Sequence, residues 1–501
     1  MSLVQQLPAL QIAVPLLTAP LVILLRGPAL AWAAASAASA MAFAIAIAIT
    51  ATVLSQGAIS YDMGGWPAPY GITLNIDALS ALVLLLVTGA SAVTLLCGRA
   101  SLGQDMDRRR QHLFFAAWLI VLAGLSGIAI TGDAFNVFVF MEISSLATYV
   151  LIAAGSDRRA LTATFKYLIM GTIGATFYLI GVGLVYMMTG TLNFADMEVR
   201  IADVTDQRPI LVAAGFITVG LSLKAAVFPL HIWLPGAYTY APHMVTAFLA
   251  ACSTKVAIYV LLRFDFLVFQ ANLDAHAMQF VTFLAPLALL GILVGSAVAM
   301  VQGHLKRLLA FSSVAQIGYI MLGASFDNQA GLTASIVHMF NHALAKGALF
   351  LAVAAIATRV AGLRLDDIGG IARRMPFTAA AMALAGASLV GIPGTAGFIS
   401  KWLLLQAAFE HGTFGIVSAV VVIASSLAAV YYVWRIIEAM YFGTPTSGET
   451  TTADSAVAEA PWSLLAGLWL VALANIYFGL VPSLPITLAE TAASGLLGTM
   501  P

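Results

Sequence analysis

The chain has 501 residues, of which 61% are hydrophobic and only 9% charged, against about 25% charged in an ordinary soluble protein. Long apolar runs without alternation exclude a soluble fold and a membrane β-barrel, leaving a polytopic bundle of membrane helices. Net charge is zero, which excludes a polyanion partner such as nucleic acid. The two cysteines, Cys97 and Cys252, both fall in apolar segments, too few for an iron–sulfur cluster or a four-cysteine metal site.

A span needs roughly 20 apolar residues. On that criterion fourteen spans are predicted, at about 8–26, 29–55, 76–98, 111–130, 133–155, 161–188, 209–240, 243–270, 276–301, 304–324, 329–358, 377–410, 413–443 and 461–490. The N-terminus lacks a basic region ahead of its first apolar run, so residues 8–26 read as a span rather than a cleaved signal. Spans seven and twelve are long and interrupted. The polar stretch 444–460 reads as a linker and 56–75 as a loop.

Basic residues sort by loop. One set of loops holds Arg26, Arg99, Arg108–Arg110, Arg158, Arg159, Lys306, Arg307, Arg359, Arg364, Arg373, Arg374 and Arg435; the other holds only Arg200, Arg208 and Arg263. Fourteen alternating spans account for this bias, and the positive-inside rule then puts both termini outside the cytoplasm of a bacterial inner membrane. Lys166, Lys224, Lys255, Lys346 and Lys401 remain, all within spans. A lysine at mid-membrane costs about 2.5–3.5 kcal/mol on insertion scales. Unlike arginine, it can give up its proton.

Glu142, in "FNVFVFMEISSLATY", is the acid nearest the middle of a span. With Lys224 it offers an ion pair that can form or break. Two readings are open, a structural salt bridge and a functional pair, and the second is the default for an intramembrane acid and base. Lys224 precedes a helix break in "LKAAVFPLHIWLPGAY", and Lys401 follows another in "GIPGTAGFISKW". Breaks at corresponding places point to an ion path, with freed backbone groups lining it. In "SIVHMFNHALAKGALF", His338, His342 and Lys346 at i, i+4 and i+8 share one helix face. The stripe reads as a proton relay, a metal pair or hydrogen-bonded core residues. Met339 after His338 excludes the zinc-peptidase pattern. Lys255 sits beside Ser253 and Thr254. His231 either links Lys224 to Lys255 or caps the broken helix. Lys166, near Arg158 and Arg159, suits the membrane interface. The chain shows no phosphate-binding loop, dinucleotide fingerprint, haem site or nucleophile elbow. This excludes a hydrolytic or redox site of its own and calls for no cofactor.

The motifs "FNVFVFMEISSLATYVL", "LKAAVFPLHIWLPGAYTYAP", "LKRLLAFSSVAQIGY", "FNHALAKGALFL" and "GIPGTAGFISKW" resemble those of proton-translocating, antiporter-like membrane subunits. That superfamily includes subunits of respiratory complex I, membrane-bound hydrogenases and Mrp-type cation/proton antiporters. The resemblance covers about residues 60–440. Within it, "YDMGGWPAPYGITLNIDALSAL" looks most like the D subunit of Mrp-type Na⁺/H⁺ antiporters, whereas "IMGTIGATFYLIGVGLVYMMTGTLNFADM" looks as much like a hydrogenase or complex I subunit. The resemblance implies residues 1–110 as three leading spans, an inverted repeat of spans four to eight (111–270) against nine to thirteen (271–443), and a linker with span fourteen (444–501). It implies a hydrated axis carrying Glu142, Lys224, Lys255, His231, His338, His342, Lys346 and Lys401. The partners it implies are other membrane subunits of a hetero-oligomeric complex, protons, and Na⁺ or K⁺. The alternative is a proton-pumping subunit of a redox enzyme with the same intramembrane residues.

Overall fold

The computed structural model describes residues 3–25, 27–105, 108–269, 280–444 and 459–499. Arg26 and most of the expected linker, 445–458, lie outside the described residues. Among the described residues, thirteen helices are long and apolar enough to cross a membrane. The first eight of these spans are Leu7–Leu24, Pro28–Gln56, Ala78–Cys97, Gln111–Ile130, Ala134–Ala153, Arg159–Thr189, Arg208–Ala225 and His243–Phe269. Spans nine to eleven are Phe280–Val301, Leu305–Ala324 and Gln329–Ala357, and spans thirteen and fourteen are Gly412–Phe442 and Trp462–Leu480. Span twelve consists of two shorter apolar helices, Pro376–Val390 and Ala396–Phe409, which brings the total to the fourteen expected. Span seven continues after its break as Trp233–Tyr240.

Loops predicted to share a side do so. On the arginine-rich face, Leu305 N–H donates to Leu363 O (2.8 Å) and Leu365 N–H to Gly303 O (2.9 Å), tying the loop before span ten to that before span twelve. Arg359 Nη2 donates to Glu459 O at 2.9 Å. On the opposite face, backbone bridges pair Leu74 with Thr131 and Asp133 with Asn193, and Asn328 Nδ2 donates to Glu410 Oε2 at 3.3 Å. Spans eight and eleven form the centre, with 94% of their apolar stretch buried, against 33% for spans one and thirteen.

Three features depart from expectation. The loop at 56–75 contains an antiparallel hairpin, with strand β1 (Ile59–Asp62) paired to β2 (Thr73–Ile76). β1 alternates half-buried Ile59 and Tyr61 with exposed Ser60 and Asp62, and β2 buries Leu74 and Ile76, a pattern in a stretch too short to stand out by sequence. Span fourteen ends at Leu480, and a separate helix, Ser483–Leu496, packs on spans three and eleven. Pro482 causes the stop, because a proline inside the helix would clash with the preceding turn. A short helix, Phe194–Ala202, lies before span seven, with Asn193 Oδ1 accepting from the Ala195 and Asp196 amides.

The two breaks are built differently. After Lys224, the Val227 amide donates to Ser222 O (3.0 Å) and the Ala226 amide to Leu223 O (3.3 Å). This is a Schellman stop, with Ala226 in the left-handed region at φ 57° where glycine is usual. In span twelve the turn uses Gly391 and Gly394, at φ 90° and 86°. A side chain at Gly397 would collide with the Ser388 carbonyl, so the two half-helices meet through glycine. The left-handed conformation costs a non-glycine residue about 1 kcal/mol. Ala226→Gly should therefore raise the stability of the purified chain by about that amount, read as a higher thermal-unfolding midpoint.

His304, in the loop pairing of the arginine-rich face, is pushed below its ordinary value by burial and by Lys306, Arg159 and Arg364, with Asp367 opposing. A histidine held neutral in the folded state adds stability that is complete above its unfolded value, about 6.5, and falls as pH drops below it. Protection of the Leu305 and Leu365 amides against hydrogen exchange, after correction for the intrinsic pH dependence of exchange, should fall as pH drops below about 6.5, and His304→Gln should remove that fall.

Candidate functional site

Span five presents Glu142 and Ser145 toward span seven. Lys224 Nζ lies 3.5 Å from Glu142 Oε1 and donates to Ser145 Oγ at 2.7 Å. Glu142 Oε1 is buried without a hydrogen-bond partner. The ammonium is thus held by the hydroxyl and only attracted by the carboxylate, a contact that opens without breaking a hydrogen bond. Spans six and seven approach closely at Gly174 and Gly220; a side chain at Gly174 would meet Gly220 O at 2.9 Å. That approach sets where Lys224 enters the bundle. Beside the pair lies a cavity of about 30 Å³, lined in part by Lys224, Ser144, Ser145, Thr148, Tyr167 and Ser253. It has room for one or two water molecules with polar partners, and it extends the pair toward span eight.

Lys255, on span eight, is buried and donates to Ala250 O. It lies within electrostatic reach of His338, His342 and Lys346 on span eleven. The His338 and His342 rings are parallel, with centroids 6.3 Å apart. Both ring nitrogens of His342 are buried without a partner. A polar group in that position is costly unless water or a mobile proton reaches it. Lys346 Nζ donates to Leu309 O at 2.8 Å and to Ser312 Oγ on span ten. His338 is fully engaged, by Gln316 Oε1 at Nε2 and Ser400 Oγ at Nδ1, both at 2.9 Å.

Lys401 sits at the break of span twelve. Its ammonium donates to Leu389 O (3.1 Å), Val390 O (2.8 Å) and Ser426 Oγ (3.1 Å), and it lies 5.2 Å from the Tyr319 ring centroid. The carbonyls are those freed where the first half-helix ends, the negative end of its dipole. Asn341 on span eleven donates to Ala396 O across the same break.

Buried lysines, a glutamate and histidines are thus brought together beside two broken helices in one chain. Residues 131–427 match the family described as NADH:quinone oxidoreductase/Mrp antiporter, transmembrane. The chain belongs to that family. It is 44% identical over 389 residues to the N subunit of the NADH-quinone oxidoreductase of Desulforudis audaxviator, covering 77% of this chain and 76% of that one. It is 31% identical over 392 residues to the D subunit of the Na(+)/H(+) antiporter of Bacillus subtilis, covering 78% of each. Among solved structures, a chain of the Mrp complex from Dietzia sp. DQ12-45-1b superposes with a TM-score of 0.88 at 28% identity, over 99% of this chain and 98% of that one.

Two sequence candidates lie apart from the chain of contacts in this antiporter-family protein. His231, in the break of span seven, packs its ring against Phe228 (5.4 Å) and Phe311 (6.3 Å) rather than against a lysine. Lys166 is exposed on span six. Other residues were not singled out by sequence. Lys306, grouped with the loop residues, is buried with its ammonium on Ala241 O at 2.7 Å. Arg263 is buried too, donating to Asp77 Oδ1 (2.7 Å), Ser80 Oγ (2.8 Å) and Tyr259 Oη (2.6 Å). Burial alone would raise the Asp77 carboxyl; the Arg263 guanidinium and the Ser80 amide outweigh it and hold it below its ordinary value. The i, i+4 spacing of Tyr259 and Arg263 is the part of this network visible in the sequence. Asp77→Asn leaves the guanidinium without a counter-charge. It should destabilise the chain by about 2–3 kcal/mol, allowing for partial exposure of the pair, measured by denaturant unfolding in detergent.

Proposed function

We propose that this chain carries protons through the bacterial cytoplasmic membrane as one subunit of a hetero-oligomeric monovalent cation/proton antiporter, with Na⁺ or K⁺ as the exchanged cation. The observation that carries the reading is the contact of buried Lys224 with half-buried Glu142 at 3.5 Å, placed at a helix break and continued by lysines and histidines into spans eight, eleven and twelve. The positive-inside rule makes the arginine-rich face cytoplasmic and puts both termini outside. Spans four to eight and nine to thirteen act as two inverted repeats, each with one broken helix.

Glu142, Lys224 and Lys255 serve the first half, His338, His342 and Lys346 the centre, and Lys401 the far end. His231 lines the break of span seven. A proton arriving at Lys255 or the histidines adds positive charge near Lys224 and weakens its hold on Glu142. An unpaired ammonium in that low-dielectric site is costly, and the cost is relieved when its proton moves on. Return of the pair resets the cycle. The feature that favours the antiporter assembly is the resemblance of the hairpin region and the motifs to Mrp-type antiporter D subunits, with which the overlap with the solved Mrp complex chain agrees.

A second reading keeps the same residues but places the chain in a redox-driven pump. The 44% identity to a quinone oxidoreductase N subunit favours it. Native mass spectrometry of the complex from its own membranes separates the two. Copurifying small hydrophobic subunits with a larger antiporter-like chain fit the antiporter, and cofactor-bearing subunits fit the pump.

Glu142→Ala and Lys224→Ala should each lower proton flux by roughly two orders of magnitude while the complex still assembles. In everted vesicles this is read as loss of cation-induced dissipation of the pH gradient, with assembly checked by native electrophoresis. Full exchange by either variant would sink the ion-pair mechanism.

A further inference from the structure

Ser400 occupies a position that the proton reading does not use. It stands in the second half of span twelve, next to Lys401, with its hydroxyl between a histidine and a carbonyl. His338 Nε2 faces Gln316 Oε1 at 2.9 Å. An amide oxygen only accepts, so Nε2 carries the hydrogen. In the neutral ring Nδ1 then holds a lone pair, and its partner at 2.9 Å is Ser400 Oγ. The Ser400 hydroxyl therefore donates to His338. The same oxygen lies 3.2 Å from Gly397 O, which also only accepts. One hydroxyl hydrogen serves one of them at a time.

A second proton on His338 adds at Nδ1 and makes it a donor. Ser400 Oγ must then accept, and its hydrogen turns to Gly397 O by rotation about the Cβ–Oγ bond. No bond other than N–H forms, and the proton comes from the relay. Gly397 is where the two halves of span twelve touch, since its amide donates to Ser388 Oγ at 3.2 Å. Lys401 Nζ holds Leu389 O and Val390 O on the other side of the break. The hydroxyl thus connects the charge on His338 to the backbone that positions Lys401.

We propose that Ser400 is a hydroxyl switch through which the broken span twelve reads the charge on His338, with Gln316 fixing the tautomer that makes the switch two-state. Both are positioning residues, and the proposal rests on the proton-carrying reading above. The titratable groups facing His338 come from three directions besides its own helix. His342 is stacked on it, at 6.3 Å. Tyr319 of span ten meets it edge-on at 5.4 Å. Lys255 of span eight and Lys401 of span twelve lie within electrostatic reach. A charge on either lysine opposes one on the ring, so the switch turns when the neighbouring lysines have passed their protons on.

The test uses the assembled complex with ¹⁵N-labelled histidine, the His338 signals being assigned by their loss in His338→Gln. At alkaline pH the expected state has Nε2 protonated and Nδ1 a hydrogen-bonded acceptor. Ser400→Ala should move the Nδ1 resonance toward that of a free lone pair and leave Nε2 in place. Gln316→Leu should give a mixture of tautomers. In cation/proton exchange, Ser400→Ala should slow the rate about tenfold and displace its pH profile by about one unit, while Ser400→Thr, which keeps the hydroxyl, retains both. A hydrogen on Nδ1 of wild-type His338 at alkaline pH overturns the switch, and so does a wild-type pH profile in Ser400→Ala. Should Ser400→Ala fail to assemble, the wild-type spectrum and Ser400→Thr decide the matter. Glu142→Ala distinguishes the two levels: if it abolishes exchange while the spectra contradict the switch, only the switch falls, and if it exchanges fully, the proton reading falls with it.

Discussion

The cost of leaving a polar group or charge unpartnered in an apolar interior governs this structure. It forces the backbone into helices, which satisfy their own amides and carbonyls. It also sets the terms on which the helices of spans seven and twelve are allowed to break. Carbonyls freed there have been given partners: Trp233 Nε1 donates to Leu223 O at 2.9 Å, and Lys401 holds Leu389 O and Val390 O of span twelve. Lys401 is therefore part of what makes the break of span twelve tolerable. A group that holds a break together and can also change its charge couples protonation to backbone position.

The same constraint explains how unevenly the chain's polar side chains are satisfied. His338 has a partner on each nitrogen, Lys346 and Lys401 each have carbonyl and hydroxyl acceptors, and Arg263 is locked by three. Glu142 Oε1 and both His342 nitrogens have none. The satisfied groups define fixed points, and the unsatisfied ones mark where a proton or water changes the energy most. They fall on either side of Lys255, in the centre of the bundle. Lys255 and His342 stand on spans eight and eleven, the most enclosed of the described spans, and Glu142 stands on span five. A chain of titratable groups there is shielded from lipid and from both surfaces.

The relatives include a subunit of a quinone oxidoreductase and a subunit of an antiporter, at comparable coverage. One arrangement of lysine, glutamate and histidine is compatible with either coupling, because protonation of one group changes its neighbour's pairing whatever supplies the proton.

Much of this was legible in the sequence because it rests on local quantities. Apolar length determined the number of spans, and basic residues in the loops determined which loops share a face. Mid-span charge picked out Glu142, Lys224, Lys255, Lys346 and Lys401, since each is anomalous against its own neighbours. Glycine and proline located both breaks. Only the tertiary structure decided which of these residues meet. It turned His231 toward Phe228 and Phe311, left Lys166 on the surface, and buried Lys306 and Arg263. It also brought Gln316 and Ser400, from separate helices, to opposite nitrogens of one histidine. Serine and glutamine are ordinary residues in a membrane helix and carry no anomaly to notice. Their part comes from the close packing of spans ten, eleven and twelve, a property of helix faces in contact that no single segment contains.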